Sequence, residues 1–516
     1  MPLNRRHFIG AGLTAAATIN ASNLQADQKG QKSRSVYAMG SRRELFLDDF
    51  LVERTGGTVN FQLHHPVARE QVIHHNRSWE GTASGYHTVL QDGDTYRMYY
   101  RGSNFNLVNN RIHHTNRETA CYAESADGIH WTTPELGLFE HEGSRDNNII
   151  WSGPGSHNFS AFLDQRPGCP AQERFKAFGG LKSTTGGMLL FTSADGIRWK
   201  KARDKAVITN GAFDSTNIGF WDPTIKKYRA YWRYFKKGLT KQGAGVGDRA
   251  IRTAISKDLF TWTDEHDLTY TDFPDQQMYT NNVIPYLRAP HILIGFPMRY
   301  IERGWSPSMR ALPDLEKREF RAAAHIRYGT ALTETQIMAS RDGVRFKRWN
   351  EAFLRPGIQR HDSWYYAHHD VAWNIVTTKS SLPGGPDELS FYATSGHWHG
   401  DGTKITRHTL RQDGFVSANC PFAGGTVITR PLTFDGSRLT VNFSTSAAGT
   451  IKVELQSADG KPITGFTLDD SDDIVGDELD RTVTWNGSPD VSGLAGKTVR
   501  LRITISDGDL YAIKFG

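Results

Sequence analysis

One turn sequence recurs along the chain and limits what it can fold into. Ser125-Ala-Asp127-Gly-Ile-His-Trp131 returns as Ser193-Ala-Asp195-Gly-Ile-Arg-Trp199, as Ser256-Lys-Asp258-Leu-Phe-Thr-Trp262 and as Ser340-Arg-Asp342-Gly-Val-Arg-Phe346. A worn fifth copy, Arg411-Gln-Asp413-Gly-Phe415, follows. The aspartate accepts bonds from the N–H groups just after it, glycine takes a positive φ, and the aromatic is free to pack between neighbouring sheets. Copies 63 to 84 residues apart, with strand-like segments between them, are the mark of radially repeated four-stranded sheets. Five copies predict a five-bladed β-propeller.

The segments before each motif register the blades against one another. Tyr86–Leu90, Phe159–Leu163, Ile218–Trp221, Val283–Leu287 and Val371–Val376 are the expected inner strands, and Asp92, Asp164 and Asp222 mark the hairpins that follow the first three. Their alternation is imperfect, as expected of strands covered on both faces. Glu44–Glu53 carries no motif and is expected to close the ring or to lead into the first blade. Beyond Cys420-Pro421 the segments Arg438–Phe443, Thr450–Leu455, Thr482–Trp485, Thr498–Ile505 and Leu510–Phe515 alternate apolar with polar between Gly, Asp and Ser turns. They predict an antiparallel β-sandwich. The expected organisation is thus all-β: an export signal over 1–26, a linker over 27–43, a propeller over 44–420 and a sandwich over 421–516.

A chain of 516 residues calls for at least two domains. Asn4-Arg-Arg-His-Phe-Ile-Gly10, followed by a small-residue apolar stretch and an alanine-containing segment ending near Ala26, predicts a twin-arginine signal and a periplasmic or secreted mature protein. No apolar run is long enough to span a bilayer. The net charge of +6 is spread along the chain, and no nucleic-acid-binding module is present. Cys121, Cys169 and Cys420 allow at most one disulfide and have no zinc-type spacing, so no metal site is expected. The acidic run Asp469 to Asp480 is a candidate structural calcium loop.

Inner strands of a propeller start around one funnel, which sorts the carboxylates. Aspartates repeated from blade to blade are turn formers; acids unique to one blade at the funnel end are the functional candidates. Asp214 and Asp370 satisfy this by register, with Glu80 just upstream of the first inner strand and Glu334 before the fourth motif as further acids. His87, His157, Asn158, Asn217, Asn281, Arg299, Tyr300 and His369 are the expected surrounding donors and substrate contacts.

Phe46-Leu-Asp-Asp-Phe-Leu-Val-Glu53, Ser125–Trp131, Phe213-Asp-Ser-Thr-Asn217, Arg288-Ala-Pro-His291, Phe296–Tyr300 and Phe443–Gly449 make the chain resemble the five-bladed propeller glycoside hydrolases, the group of invertase-like and arabinanase-like enzymes, and more narrowly the exported family 32-like glycosyl hydrolases. The resemblance implies cleavage of glycosidic bonds in a poly- or oligosaccharide, without a required cofactor, by paired carboxyl groups. The basic balance points to acidic or sulfated glycans. The invertase nucleophile motif Asn-Asp-Pro-Asn is absent, with Ser84 at its register position, and so is the Glu-Cys acid motif; fructan hydrolysis is therefore not implied. The resulting pairing is Asp214 as base or nucleophile with Glu334 or Glu80 as acid, and Asp370 tuning charge or orienting His369; His87, His157 and His369 are alternative acids, because the resemblance extends to propeller enzymes that use histidine in that role. Two other classes fit the same funnel: a polysaccharide lyase using a Tyr or His base with Arg299 against a uronate, and a non-catalytic glycan-binding propeller.

Overall fold

The computed structural model describes residues 35–516 except 242–243, 272–274 and 399; the expected signal over 1–26 lies outside them. Five sheets are arranged as propeller blades. From the inner strand outwards the first blade runs Gly85–Asp92, Thr95–Gly102, Thr119–Ser125 and Trp131–Thr132, with Ile149–Ser152 added beside its third strand. The second blade is built from Ser160–Leu163, Phe175–Gly179, Leu189–Ser193 and Lys200–Lys201, and the third from Ile218–Asp222, Lys227–Phe235, Arg249–Ser256 and Trp262–Asp267. Blade four takes Ile284–Tyr286, Ala289–Gly295, Met338–Ser340 and Arg345–Arg348, plus Thr269–Thr271 in parallel on its rim. Blade five takes Val376–Thr378, Glu388–Ser395 and Thr403–Leu410, and its outermost strand is Val67–His75 from the other end of the propeller chain. This strand closes the ring by completing the last blade with a segment from the start of the propeller chain.

The repeated turn is an inter-blade lock. Asp127 Oδ1 accepts from the N–H groups of Ile129 and His130, both at 2.8 Å, and the same pair of bonds recurs at Asp195, Asp258 and Asp342. Gly128, Gly196 and Gly343 have φ of 73°, 75° and 80°, and Leu259 takes the same left-handed conformation at 69°. The motif aromatic meets a ring on the second strand of the preceding blade: Trp131 with Tyr392, Trp199 with Tyr99, Trp262 with Phe178 and Phe346 with Tyr231, at centroid distances of 5.5 to 6.2 Å. Such edge contacts add about 0.5–1.5 kcal/mol each beyond their burial.

The second domain is larger than expected. Tyr37–Gly40, Arg43–Leu45, Val52–Gly57 and Asn60–Leu63 join Val416–Cys420, Gly425–Thr429, Leu432–Phe434, Leu439–Ser457, Asp477–Thr482 and Val499–Phe515 in one ten-stranded sheet. The expected linker over 27–43 therefore contains strands. Glu44–Glu53 belongs to this sheet and not to the ring, because Arg43–Leu45 pairs with the final strand and Val52–Gly57 with Gly425–Thr429. Pairing is antiparallel except between Tyr37–Gly40 and Leu432–Phe434. Met39, Phe46 and Leu51 are buried with Val427, Phe443, Ile451, Trp485 and Phe515 in a core separate from the propeller's. The three cysteines are free thiols. In the acidic run, Asp470 and Asp472 accept from Thr467 and Thr484, while Asp477 and Asp480 pair with Arg411 and Arg288. Among the described residues no helix is long and apolar enough to cross a membrane.

The worn fifth motif joins the two domains. Asp413 is fully buried and pairs with Arg43 at 3.1 Å and Arg288 at 3.2 Å; it also accepts from the Tyr286 hydroxyl at 2.7 Å and from Asn442 at 3.1 Å. Removing one member of such a group strands the remaining buried charges. Asp413→Ala is expected to lower stability by about 3–5 kcal/mol. Urea unfolding monitored by tryptophan fluorescence measures this, and a loss below about 1 kcal/mol would show that the interdomain pairing is not stabilising.

Candidate active site

All five blades contribute to a cavity of about 620 Å³ at the funnel end. Tyr86 and Arg101 come from the first blade, His157 from the turn before the second, Asp214 from before the third, Tyr279 from before the fourth, and Tyr366, Asp370 and His397 from the fifth. Two insertions build up the rim. The hairpin Phe105–Val108 and Arg111–His114 brings Phe105 and His114, and the helical stretch Pro307–Thr330 between Met298–Glu302 and Ala331–Thr335 brings Arg327 and Tyr328. Trp398 joins them, packing edge-on against Phe105 at 4.4 Å and Tyr328 at 4.6 Å. Its loop is held by Arg321, buried in the helix Leu315–Ala324, which donates to the carbonyl of His397 at 2.6 Å. Size, concavity and aromatic walls with a few convergent polar groups are the features of a small-molecule or glycan site.

Asp214 stands at the centre of a charged chain. His157 Nε2 lies 3.0 Å from Asp214 Oδ1, while His157 Nδ1 lies 2.9 Å from Glu118. Each ring nitrogen faces a carboxylate, an arrangement that favours the doubly protonated ring. Burial and Arg101 oppose that charge, but the two carboxylates outweigh them and raise the His157 pKa. Tyr86 donates its hydroxyl to the same Oδ1 at 2.7 Å. Burial resists ionisation of Asp214, yet His157, Arg233 and Tyr86 together hold its carboxyl well below the usual carboxylate range. The side chain is enclosed by protein on its flanks but 56% accessible, because it faces the open cavity. Oδ1 is thus anchored, and Oδ2 has no protein donor among the described residues.

Asp370 has the opposite environment. It is 8% exposed, its Oδ1 meets only the Thr280 hydroxyl at a long 3.5 Å, and its Oδ2 has no protein donor among the described residues. Burial without a cation in contact pushes its pKa up to about 7, against small opposing effects of Thr280 and Arg101. One cavity therefore holds an ionised carboxylate and a carboxyl that keeps its proton near neutrality, the division of roles that acid–base chemistry on two acids requires.

Other sequence-predicted residues lie behind or beside this cavity. Glu80 is 2% exposed, accepts from Tyr100 at 2.5 Å and faces His75 at 3.6 Å; His75 in turn meets His87 at 2.9 Å. Glu80 and His87 belong to this interior chain and not to the cavity wall. Glu334 is committed to an ion pair with Arg299 across the strands Met298–Glu302 and Ala331–Thr335, with Arg299 Nε at 2.9 Å. Asn158, Asn217 and Asn281 clamp backbone: Asn158 donates to the carbonyls of Phe213 and Ser215, Asn217 to the same two, and Asn281 to Thr216. They hold the loop that carries Asp214. Tyr300 packs behind Tyr279 and Tyr366, and His369 turns away to a separate cleft with His408. The hydrophobic platform is Trp398 with Tyr86, Tyr279 and Tyr366, whereas Trp79 is tied to Asn148 by its indole N–H at 2.7 Å.

Arg101, Glu118, Tyr86, His397 and Trp398 were not singled out by the sequence. A signal existed for one of them. Arg101 and Arg233 lie near the ends of the equivalent second strands Thr95–Gly102 and Lys227–Phe235, and both donate Nε to a carbonyl of the loop before their inner strand, Ala83 at 3.2 Å and Ala212 at 3.0 Å. Repetition alone does not distinguish this funnel-end pair from a structural one.

No protein-family model and no curated protein matches the chain. Among solved structures it is similar to a glycoside hydrolase at 13% identity, over 67% of this chain and 92% of that one, with a TM-score of 0.42. It is also similar to an N-acetylgalactosamine deacetylase from F. plautii in complex with blood group B trisaccharide (12% identity, 68% and 96% coverage, TM-score 0.40), and to the GH32 beta-fructofuranosidase of Bombyx mori (10%, 89% and 95%, 0.36). The five-bladed propeller that the sequence resemblance implies is the architecture of the chain's own sheets.

The Asp370 carboxyl also leaves a mark on stability. Between the ordinary carboxylate pKa of the unfolded chain and about 7 in the folded one, the folded protein holds a proton that the unfolded chain has released. Its contribution is full at acid pH and is lost as pH rises through that window, at up to about 1.4 kcal/mol per pH unit. Asp370→Asn is expected to flatten this slope and to be the more stable protein at pH 8. Parallel slopes for the two proteins in urea unfolding from pH 4 to 8 would exclude a protonated Asp370.

Proposed function

We propose that the protein is an exported glycosidase that hydrolyses glycosidic bonds in the propeller funnel, with Asp370 as general acid and Asp214 as the charged carboxylate. The carrying observation is the opposed state of these two acids in one cavity. Asp370 gives its proton to the leaving glycosidic oxygen as the C–O bond breaks, and Asp214 Oδ2 either attacks the anomeric carbon or takes a proton from the attacking water. The His157–Glu118 chain and Tyr86 fix Asp214 and keep it ionised. Tyr86, Tyr279, Tyr366 and Trp398 offer ring faces for sugar C–H groups. Relative to the pairing expected from sequence, Asp370 replaces Glu334 and Glu80 as the acid, because it alone among the three lines the cavity and retains a proton. Elimination by Tyr86 is disfavoured: burial and the neighbouring Asp214 charge raise its hydroxyl pKa well above 10, so the hydroxyl keeps its proton and no phenolate is available as the base. Export rests on the twin-arginine-type N-terminus.

The test is turnover of neutral, uronate-containing and sulfated oligosaccharides with products analysed by mass spectrometry. Products one water heavier are expected, with kcat reduced about 10²–10⁴-fold in both Asp214→Asn and Asp370→Asn. Unsaturated products would establish a lyase, and binding without turnover a glycan-binding propeller. Activity is expected to fall as pH rises through about 7, where Asp370 loses its proton, and to persist below the ordinary carboxylate pKa because Asp214 stays ionised. A kcat profile rising through pH 8 would remove Asp370 from the acid role.

A further inference from the structure

A second cavity of about 1290 Å³ opens directly beside the first and shares Asp214, His157, Tyr279 and Arg327 with it. Its walls carry five lysines and arginines against three carboxylates, Asp214, Asp248 and Glu302. The arginines are held in an unusual way. Arg233 and Arg249 are 5% and 8% exposed, and a buried cation is ordinarily paired with a carboxylate. Here aromatic rings take that place. Arg233 lies over Tyr279 at 4.8 Å and Phe235 at 5.2 Å, and Arg249 over Tyr300 at 4.0 Å and Phe235 at 5.4 Å. Arg327 stacks on Tyr328 at 4.5 Å and Tyr366 at 5.9 Å.

Among the described residues neither Arg233 nor Arg327 has a carboxylate within 4.0 Å, and for Arg249 the nearest is Glu302 at 3.9 Å. Arg249 Nε is buried and has no hydrogen-bond partner, while its Nη1 donates to Gln277 at 2.6 Å. Stacking fixes the planes of the guanidinium groups while leaving in-plane N–H donors unspent. That arrangement suits a planar or tetrahedral oxyanion, which arginine binds through parallel charge-assisted bonds.

We infer that this cavity is the subsite for an anionic substituent, a carboxylate or sulfate ester, on the sugar next to the scissile bond. The inference rests on the proposed carbohydrate reaction for its substrate class, but not on turnover. The anionic group docks on Arg249 and Arg233 and places its sugar ring over Tyr279, at the boundary between the two cavities. Selectivity for acidic glycans comes from these buried arginines and not from the net charge of the surface.

The test measures binding in Asp214→Asn by calorimetry. The probes are oligogalacturonides against their carboxyl-reduced forms, and carrageenan oligosaccharides against their desulfated forms. The expected result is preference for one acidic form, weakened about 10- to 100-fold by adding Arg249→Gln, so that discrimination against its uncharged counterpart collapses. The pair that discriminates identifies carboxylate or sulfate as the ligand. If Arg249→Gln does not fold, Arg327→Gln and a salt titration of the parent decide: affinity for the acidic form must fall with salt while that for the neutral form does not. Equal binding of charged and uncharged forms would overturn the subsite even if neutral glycans were hydrolysed. Acidic preference without hydrolysis of any probe would uphold the subsite and overturn the glycosidase.

Discussion

The contact between each repeated turn and the blade before it is the interaction on which the structure depends. An aspartate ties down two N–H groups, a left-handed residue turns the chain, and an aromatic ring is delivered to the second strand of the preceding blade. Four such contacts, with the Asp413 variant as the fifth, set the rotation between blades. Blade rotation in turn brings the starts of the inner strands to one funnel. The geometry of the funnel is thus a consequence of a local turn repeated around an axis.

Asp413 shows how a worn repeat acquires another use. It still sits against the preceding blade through Tyr286, but it takes Arg43, Arg288 and Asn442 as partners. The propeller and the ten-stranded domain share this buried charge group. N-terminal strands on one domain and ring closure by Val67–His75 on the other also mean that the chain crosses between domains twice.

Within the funnel, two carboxyl groups are separated chemically by their neighbours. His157, Arg233 and Tyr86 stabilise the Asp214 charge, and nothing comparable reaches the buried Asp370. Arg233 and Arg249, stacked on aromatic rings, line the adjoining cavity beside Asp214. Asp370, Asp214 and the stacked arginines are therefore one electrostatic arrangement, with different degrees of compensation at each position.

The motif period determined the propeller, its five blades and the positions of Asp214 and Asp370, because turn chemistry and blade register are local and repeat along the chain. It also separated Asp92, Asp164 and Asp222 from the funnel: Asp164 and Asp222 are buried beside Lys176 and Arg229 at the far hairpins. What the sequence left open was the company each residue keeps. Glu334 and Glu80 are acids at plausible places, yet Arg299 takes up one and an interior Tyr100–His75 environment the other. Glu118, Trp398 and Arg327 reach the cavity from segments with no repeat, positioned by packing between insertions. The N-terminal strands joined the distant sheet because edge pairing is decided by which unpaired strand lies alongside. Register along the chain names candidates; only tertiary structure decides which of two acids meets His157 and which is buried without a charged partner.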